Sequence, residues 1–85
     1  MPYIRSVTRD GIDAYGIDAV SSAGDLNYFI TTSCDHYLGK DLSYAKINEV
    51  IGALECVKLE MYRRLAAPYE DQKIVENGDV YRDRA

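Results

Sequence analysis

The chain has 85 residues, of which 47% are hydrophobic and 28% are charged, and its net charge is −4. A chain this short forms one domain, and such a domain buries only about 60–65% of its unfolded surface. The acidic balance argues against binding a nucleic-acid polymer. No apolar run approaches the roughly 20 residues of a membrane span, and the N-terminus lacks the apolar segment of a signal peptide. We therefore expect a cytoplasmic protein with no membrane partner.

Metal-ligating side chains are few and scattered. Cys34 and Cys56 are the two cysteines, and His36 is the one histidine. These residues do not supply the four ligands of a usual zinc site, so we expect no metal and no other cofactor. Both thiols are predicted to be small apolar core residues. His36 is predicted to be exposed near a helix end, where its charge suits the helix dipole.

The first elements in chain order are an extended lead-in, residues 1–8, and a helix. The helix is predicted from Asp10 to about Ser22, although each of its two glycines weakens it by up to ~1 kcal/mol relative to Ala. Gly24 is predicted to break the chain after this helix.

A second helix is predicted to follow, with Asp25 as its N-cap and Gly39 just past its end. Its apolar residues recur at helical spacing. They are Leu26, Phe29, Ile30, Cys34, Tyr37 and Leu38.

The third helix has the clearest helical pattern in the sequence. Ser43 is its predicted N-cap, and from residue 44 to 66 it would be about 35 Å long. Glu60 precedes Arg64 by four residues, the favoured order for a helical ion pair. Its apolar residues at helical spacing are Ile47, Val50, Ile51, Leu54, Val57, Met61 and Leu65. Since two shorter helices would hardly cover this apolar face, we expect a homo-oligomer; the alternative is a core within one chain.

Pro68 interrupts this pattern. A proline inside a helix costs ~3 kcal/mol but is tolerated at the first helical position. We therefore expect the long helix to kink or end before Pro68 and a short helix to begin there. Glu70 and Asp71 would lie in its first turn, where acids suit the dipole, and Asn77–Gly78 would end it. The prediction is a single all-α domain, residues 1–85: three helices, one long and central, then a short C-terminal helix and an extended tail, residues 80–85.

No catalytic constellation is evident in the sequence. Glu49, Glu55 and Glu60 are six and five residues apart, whereas the carboxylates of helical magnesium-dependent hydrolases are three or four apart on one face. No glycine-rich phosphate loop is present, and His36 has no identifiable nucleophile beside it. A non-catalytic protein is therefore the first expectation.

Basic and aromatic side chains gather on both sides of Pro68, and we name them the basic–aromatic cluster. The cluster consists of Tyr62, Arg63, Arg64, Tyr69 and Lys73. Guanidinium, ammonium and phenol groups together suit a phosphate and a stacked base. The alternative is a solvated charge network in which both arginines pair with Glu60, Glu70 and Asp71.

Three stretches resemble the hallmarks of a small uncharacterised family found in bacteria, archaea and tailed phages. They are "GDLNYFI", "INEVIGALECVKLEMYRR" and "APYEDQKIVENGDVY". The family versions are G-E-L-N-Y, G-x-L-E-x-x-K-x-E-x-Y-R-R and P-Y-E-D-x-K-x-x-E-N-G-D-V-Y, so the match covers about residues 24–81. Asp25 departs from the usual Glu, and the glycine-containing first helix is a further departure.

The resemblance draws attention to polar positions that a packed core does not need. They are Tyr62, Arg63, Arg64, Tyr69, Glu70, Asp71, Lys73, Asn77, Gly78 and Asp79. This implies a ligand site or a specific subunit contact. By analogy with small acidic helical phage proteins that assemble as symmetric oligomers and act as sponges, the resemblance implies sequestration of a nucleotide signal of bacterial immunity.

Three functions follow from these observations. The first is a non-catalytic homo-oligomer that binds a small anionic, nucleotide-like ligand, in the host cytoplasm if a phage encodes it. The expected ligand-binding residues are the basic–aromatic cluster, Asp71, and Asn27 and Tyr28 from a packed neighbour. The second is an adaptor or inhibitor that contacts a protein through the arm "PYEDQKIVENGDVY". The third is a nucleotide-cleaving enzyme with groups assembled across subunits.

Overall fold

The structure, a computed structural model, describes residues 1–84, and over these residues the chain is helical with no strand. The prediction of an all-α, three-helix fold is confirmed, and the third helix is 34 residues long because it continues past Pro68. The elements are α1 (Ser6–Tyr15), a 3₁₀ turn (Gly16–Ala19), α2 (Ala23–Leu38), α3 (Tyr44–Met61), a π turn (Tyr62–Ala66) and α4 (Ala67–Asn77).

Helix α1 is displaced toward the N-terminus relative to its predicted range. It begins at Ser6 rather than Asp10, so the extended lead-in is shorter than predicted. It ends at Gly16, whose φ of 69° is a left-handed conformation that glycine adopts without a steric penalty. The chain then makes a 3₁₀ turn and does not continue as α-helix to Ser22.

Ser22, and not Asp25, is the N-cap of α2. The Ser22 hydroxyl accepts a hydrogen bond from the Asp25 amide at 3.1 Å. The Asp25 carboxylate in turn accepts from the amide and the hydroxyl of Ser21, each at 3.1 Å. The hydrogen bond from the Ser21 amide, and then the hydrogen bonds to the two serine hydroxyls, lower the pKa of Asp25 by more than burial raises it. This reciprocal pattern is a variant of the capping box, and it explains why an acid lies three residues after Ser22.

Gly24 lies inside the first turn of α2 and does not break the chain as predicted. A side chain at this position would place its Cβ 3.2 Å from Cγ2 of Ile4. The glycine is therefore explained by the close approach of the N-terminal segment to α2.

Backbone contacts divide the chain into two units, Met1–Val50 and a second unit that begins at Ile51. In the first unit, Ile12 of α1 is only 3% exposed, and it lines one cavity together with Phe29 of α2. The Tyr37 hydroxyl donates to a Glu49 oxygen at 2.7 Å, which links α2 to the start of α3. Ser43 caps α3 as predicted, since its hydroxyl accepts from the Lys46 amide at 3.2 Å.

The second unit contains the π turn and α4, and from residue 51 to 84 no side chain is buried. The Ala67 amide donates to the carbonyl of Tyr62, five residues earlier, instead of to residue 63. This wider turn precedes Pro68, which lacks an amide hydrogen and crowds the carbonyl four residues before it in a regular α-helix. Glu70 and Asp71 consequently follow a continuous helix and do not cap a free end. Gly78, at φ 88°, ends α4 as predicted.

The cysteines differ from the prediction in one respect. Cys34 is half-buried, but Cys56 is exposed, because its face of α3 has nothing packed on it within the described chain. Among residues 1–84, no helix combines the length and apolar character needed to cross a membrane. The same residues contain no group of three or more His, Cys, Asp or Glu side chains placed to hold a metal ion.

Candidate functional site

The cations of the basic–aromatic cluster already have carboxylate partners. Nη2 of Arg63 donates to both Glu60 oxygens at 2.8 Å, and Nη1 of Arg64 lies 3.8 Å from the same carboxylate. The Lys73 ammonium lies 3.1 Å from Glu76 and 5.5 Å from the centre of the Tyr69 ring. The arginine pairing with Glu60 matches the alternative of a solvated charge network, whereas no such pairing to Glu70 or Asp71 is present within residues 1–84.

Distance along the helix also separates the cluster. Arg64 and Lys73 are nine residues apart on one continuous helix, which corresponds to about 14 Å along its axis. A single phosphate is too small to bridge that separation. One copy of the chain therefore does not assemble these side chains into a closed anion pocket.

Asn27 and Tyr28, the other predicted ligand residues, lie on α2 in the first unit. The Tyr28 hydroxyl donates to Asp13 Oδ1 at 2.8 Å, and this bond is the main reason that the pKa of Tyr28 is raised. The Arg9 guanidinium lies 5.7 Å from the centre of the Tyr28 ring. Oδ1 of Asn27 accepts from the Thr31 hydroxyl at 3.1 Å. Tyr28 therefore contributes to the α1–α2 contact, whereas the bond of Asn27 lies within α2.

A cavity of about 270 Å³ lies in the second unit, between the end of α4 and the segment after it. Its lining residues come almost entirely from the "YEDQKIVENGDVY" stretch. They are Glu70, Lys73, Ile74, Asn77, Gly78, Asp79, Val80 and Tyr81. Lys73 was the one predicted ligand residue among them, although the resemblance to the P-Y-E-D-x-K-x-x-E-N-G-D-V-Y motif had already marked Glu70, Asn77, Gly78 and Asp79. Two carboxylates against one paired ammonium make this cavity better suited to a hydrogen-bonding or cationic group than to an anion.

A second cavity, of about 350 Å³, lies in the first unit and includes Asp13, Ser33 and His36 in its lining. His36 is exposed in the last turn of α2, as predicted. The Ser33 hydroxyl donates to the carbonyl of Phe29 at 2.7 Å, so its proton is not directed at His36. This geometry does not resemble an activated nucleophile with its base.

The most extensive feature of the second unit is an exposed row of large apolar side chains, which we name the apolar stripe. The apolar stripe consists of Leu54, Val57, Met61, Leu65 and Tyr69, each between 41% and 66% exposed. Spacings of three and four residues place them on one face of the helix.

The π turn is what keeps the apolar stripe on one face. In a regular helix, Val57 and Met61 would be followed on that face by Arg64 and Pro68. In the π turn, the amide bonds to the carbonyl five residues earlier instead of four, so the turn holds one residue more than a turn of regular α-helix. Leu65 and Tyr69 thereby replace Arg64 and Pro68 on the face, and the apolar stripe continues past the proline.

The total exposed surface is large for the mass of the chain. A folded monomeric protein of 9.6 kDa exposes about 5,100 Å², whereas this chain exposes 7382 Å². The difference of about 2,300 Å² exceeds the roughly 800 Å² that each partner buries in an ordinary protein–protein interface. Exposed apolar patches of this kind mark interaction sites.

Comparison with known proteins identifies a family. A family model described as a domain of unknown function, DUF6899, matches residues 1–80, and the chain belongs to this family. This match agrees with the expectation that the chain belongs to an uncharacterised family. No curated protein matches the sequence significantly, and no solved structure does.

Proposed function

We propose that this protein is a non-catalytic, homo-oligomeric interaction protein. Copies associate through the apolar stripe, and the arm at its C-terminal end, residues 68–81, contacts a protein partner. The observation that supports this proposal is the apolar stripe itself, five large side chains on one face with nothing packed on them within residues 1–84. Association is the ordinary means of removing such a face from water.

The energetics favour association over exposure. Full burial of a large apolar side chain contributes about 1.5–3 kcal/mol relative to leaving it in water. Burying the remaining exposed area of five such side chains on each copy gives several kcal/mol per chain, before the cost of lost translational freedom. A helix whose apolar face is unpacked gains no comparable stability from backbone hydrogen bonds alone.

The test is a matched pair of substitutions, Val57→Lys and Leu59→Lys. The two side chains are equally exposed, at 57% and 58%, but Val57 belongs to the apolar stripe and Leu59 points away from it. Val57→Lys is expected to convert the oligomer to monomer in sedimentation velocity or native mass spectrometry, and Leu59→Lys to leave it intact. Equal behaviour of the two variants, or a monomeric wild type at 50 μM, would rule the proposal out.

A second candidate is the binding of a small anionic, nucleotide-like ligand, as a phage-type sponge would do. What supports it is the position of Tyr69 and Lys73, which continue the apolar stripe at intervals of four residues and are in contact with each other. Association through the apolar stripe would bring these pairs from several copies near one another. Asp71, Arg63 and Arg64 would then have to supply contacts from neighbouring copies.

Native mass spectrometry with a panel of cyclic nucleotides and ADP-ribose derivatives tests this candidate. A stoichiometric ligand mass that disappears in Arg63→Ala/Lys73→Ala would support it. A ligand-free oligomer with every compound in the panel would favour the adaptor function, in which the cavity between Lys73 and Tyr81 receives a side chain of the protein partner.

A further inference from the structure

Pro68 is the residue near the π turn that disfavours a regular α-helix. Between Gly52 and Gly78 the sequence contains no other proline and no glycine. The turn itself, Tyr62–Ala66, is built mainly from arginine, leucine and alanine, which are among the strongest helix formers. Pro68 lacks the amide hydrogen that a regular helix would bond to the Arg64 carbonyl, and its ring would crowd that carbonyl. The proline is therefore the local cause of the π turn that the sequence offers.

The π turn rotates the helix after it relative to the helix before it. Each residue of a regular α-helix turns by about 100°, so one additional residue shifts the following side chains by about 100° around the axis. Without that shift, Arg64 would lie about 20° from Val57, on the apolar face, and Tyr69 would lie about 80° from Met61. With the shift, Tyr69 lies about 20° from Met61.

We propose that Pro68 is a positioning residue for self-association. It imposes the π turn, and the π turn sets the rotation at which Leu65 and Tyr69 meet a second copy of the chain. This inference rests on the self-association proposed above and names the residue that specifies it. Pro68 is not part of the apolar stripe, so it acts through these two side chains and not by its own contact.

Nothing within one chain gives this rotation a purpose. Leu65 and Tyr69 are 66% and 62% exposed, and from residue 51 to 84 no side chain is buried. A kink or a helix end is the usual response to a proline. The π turn differs from both because it keeps the helix continuous and the apolar stripe in line. The alignment stabilises the molecule only where a second copy packs on the apolar stripe.

Pro68→Ala separates helix stability from association. Alanine restores the missing amide hydrogen and is the best helix former. The variant is therefore expected to be at least as helical as wild type by circular dichroism, at concentrations where both are monomeric. A regular helix replaces the π turn and returns Arg64 to the face beside Val57. The dissociation constant from sedimentation velocity is then expected to rise about tenfold or more.

Deletion of one residue between Met61 and Leu65 restores the alignment without a π turn. In Pro68→Ala with Arg63 deleted, a regular helix places Leu65 three residues after Met61 and Tyr69 four residues further on, which is heptad spacing. Association is expected to return to within about threefold of wild type. The exposed pair of Arg63 with Glu60, lost in this variant, contributes little.

Two further variants complete the comparison. Deletion of Arg63 alone leaves Pro68 in place to impose a π turn on a shortened helix, so association is expected to weaken as it does in Pro68→Ala. The matched control is Pro68→Ala with Gln72 deleted. Gln72 follows Tyr69, so its removal shortens the helix by one residue without changing the alignment of Tyr69 with Met61. No recovery of association is expected in this control.

The remaining results separate this inference from the self-association on which it rests. Pro68→Ala that associates as tightly as an oligomeric wild type would overturn the role of Pro68 and leave the self-association standing. The same conclusion would follow from a helical Pro68→Ala chain without Arg63 that stays weakly associated, or from equal recovery on deletion of Gln72. A wild type that is monomeric at about 50 μM would overturn both proposals. If the chain without Arg63 is not helical by circular dichroism, deletion of Tyr62 takes its place, because Tyr62 also lies between Met61 and Leu65.

Discussion

At the scale of single residues, the reciprocal hydrogen bonds among Ser21, Ser22 and Asp25 stabilise the start of α2. Ser22→Ala removes the hydroxyl that accepts from the Asp25 amide, and loss of such an N-cap costs about 1 kcal/mol. We expect the melting temperature to fall by several degrees at fixed protein concentration. Ser33→Ala is the control, since its hydroxyl only returns a bond to the Phe29 carbonyl in the middle of α2. A fall of the same size in both variants would contradict the capping role.

Asp25 gives the fold a defined dependence on pH. Its pKa in the folded chain is lowered, chiefly by the bond from the Ser21 amide, from a usual value of 3.8. The stability that this carboxylate contributes is therefore fully present above its unfolded pKa and is lost as pH falls through the lower folded pKa. Thermal unfolding between pH 7 and pH 2 is expected to show Asp25→Asn less stable than wild type at pH 7, with the difference closing below pH 4. A difference between the two proteins that stays constant down to pH 2 would contradict this role of Asp25.

Caps could be predicted from the sequence where one residue fits the role, and not where two compete. Ser43, Gly39 and Gly78 each lie directly beside the helical pattern they bound, and the structure uses all three as predicted. Ser22 and Asp25 both favour N-caps and lie three residues apart, which is also the spacing of a capping box. Sequence preference alone does not decide which of the two caps the helix.

At the scale of the element, Pro68 shows what local rules do not specify. Its missing amide hydrogen and its ring led to the prediction of a kink or an end, and both disruptions are real. The structure accommodates them with a π turn five residues long that continues the helix. Which solution is adopted depends on the whole face: the inserted residue keeps Leu65 and Tyr69 in line with Met61, a benefit that no window of a few residues reveals.

At the scale of the whole molecule, composition and periodicity were enough to predict helices and an apolar face from Ile47 to Leu65, because both depend on pattern along the chain. The continuation of that face to Tyr69 was not predicted, because it depends on the π turn. The candidate site was harder to predict from the sequence. Adjacency in sequence suggested that Arg63, Arg64 and Lys73 gather around a bend, but a continuous helix places Arg64 and Lys73 about 14 Å apart. The cavity beside Lys73 depends on how the segment after Gly78 turns back toward α4, which no periodic pattern encodes.

The balance between burial and exposure leads to a last prediction about stability. From residue 51 onward the described chain has no buried side chain, whereas the first unit has Ile12 in its interior. If copies supply the missing packing, the amides of residues 51–77 owe their protection to association. Hydrogen exchange followed by mass spectrometry is expected to show these amides protected at 100 μM and at least tenfold faster in exchange at 0.1 μM. Amides of α2 are expected to change much less, because their packing lies within the chain.

Val57→Lys at 100 μM is expected to reproduce the pattern of the diluted wild type, since it removes the partner without dilution. Protection of residues 51–77 that is independent of concentration, in wild type and variant alike, would mean that this helix is stable alone and that the apolar stripe has another purpose.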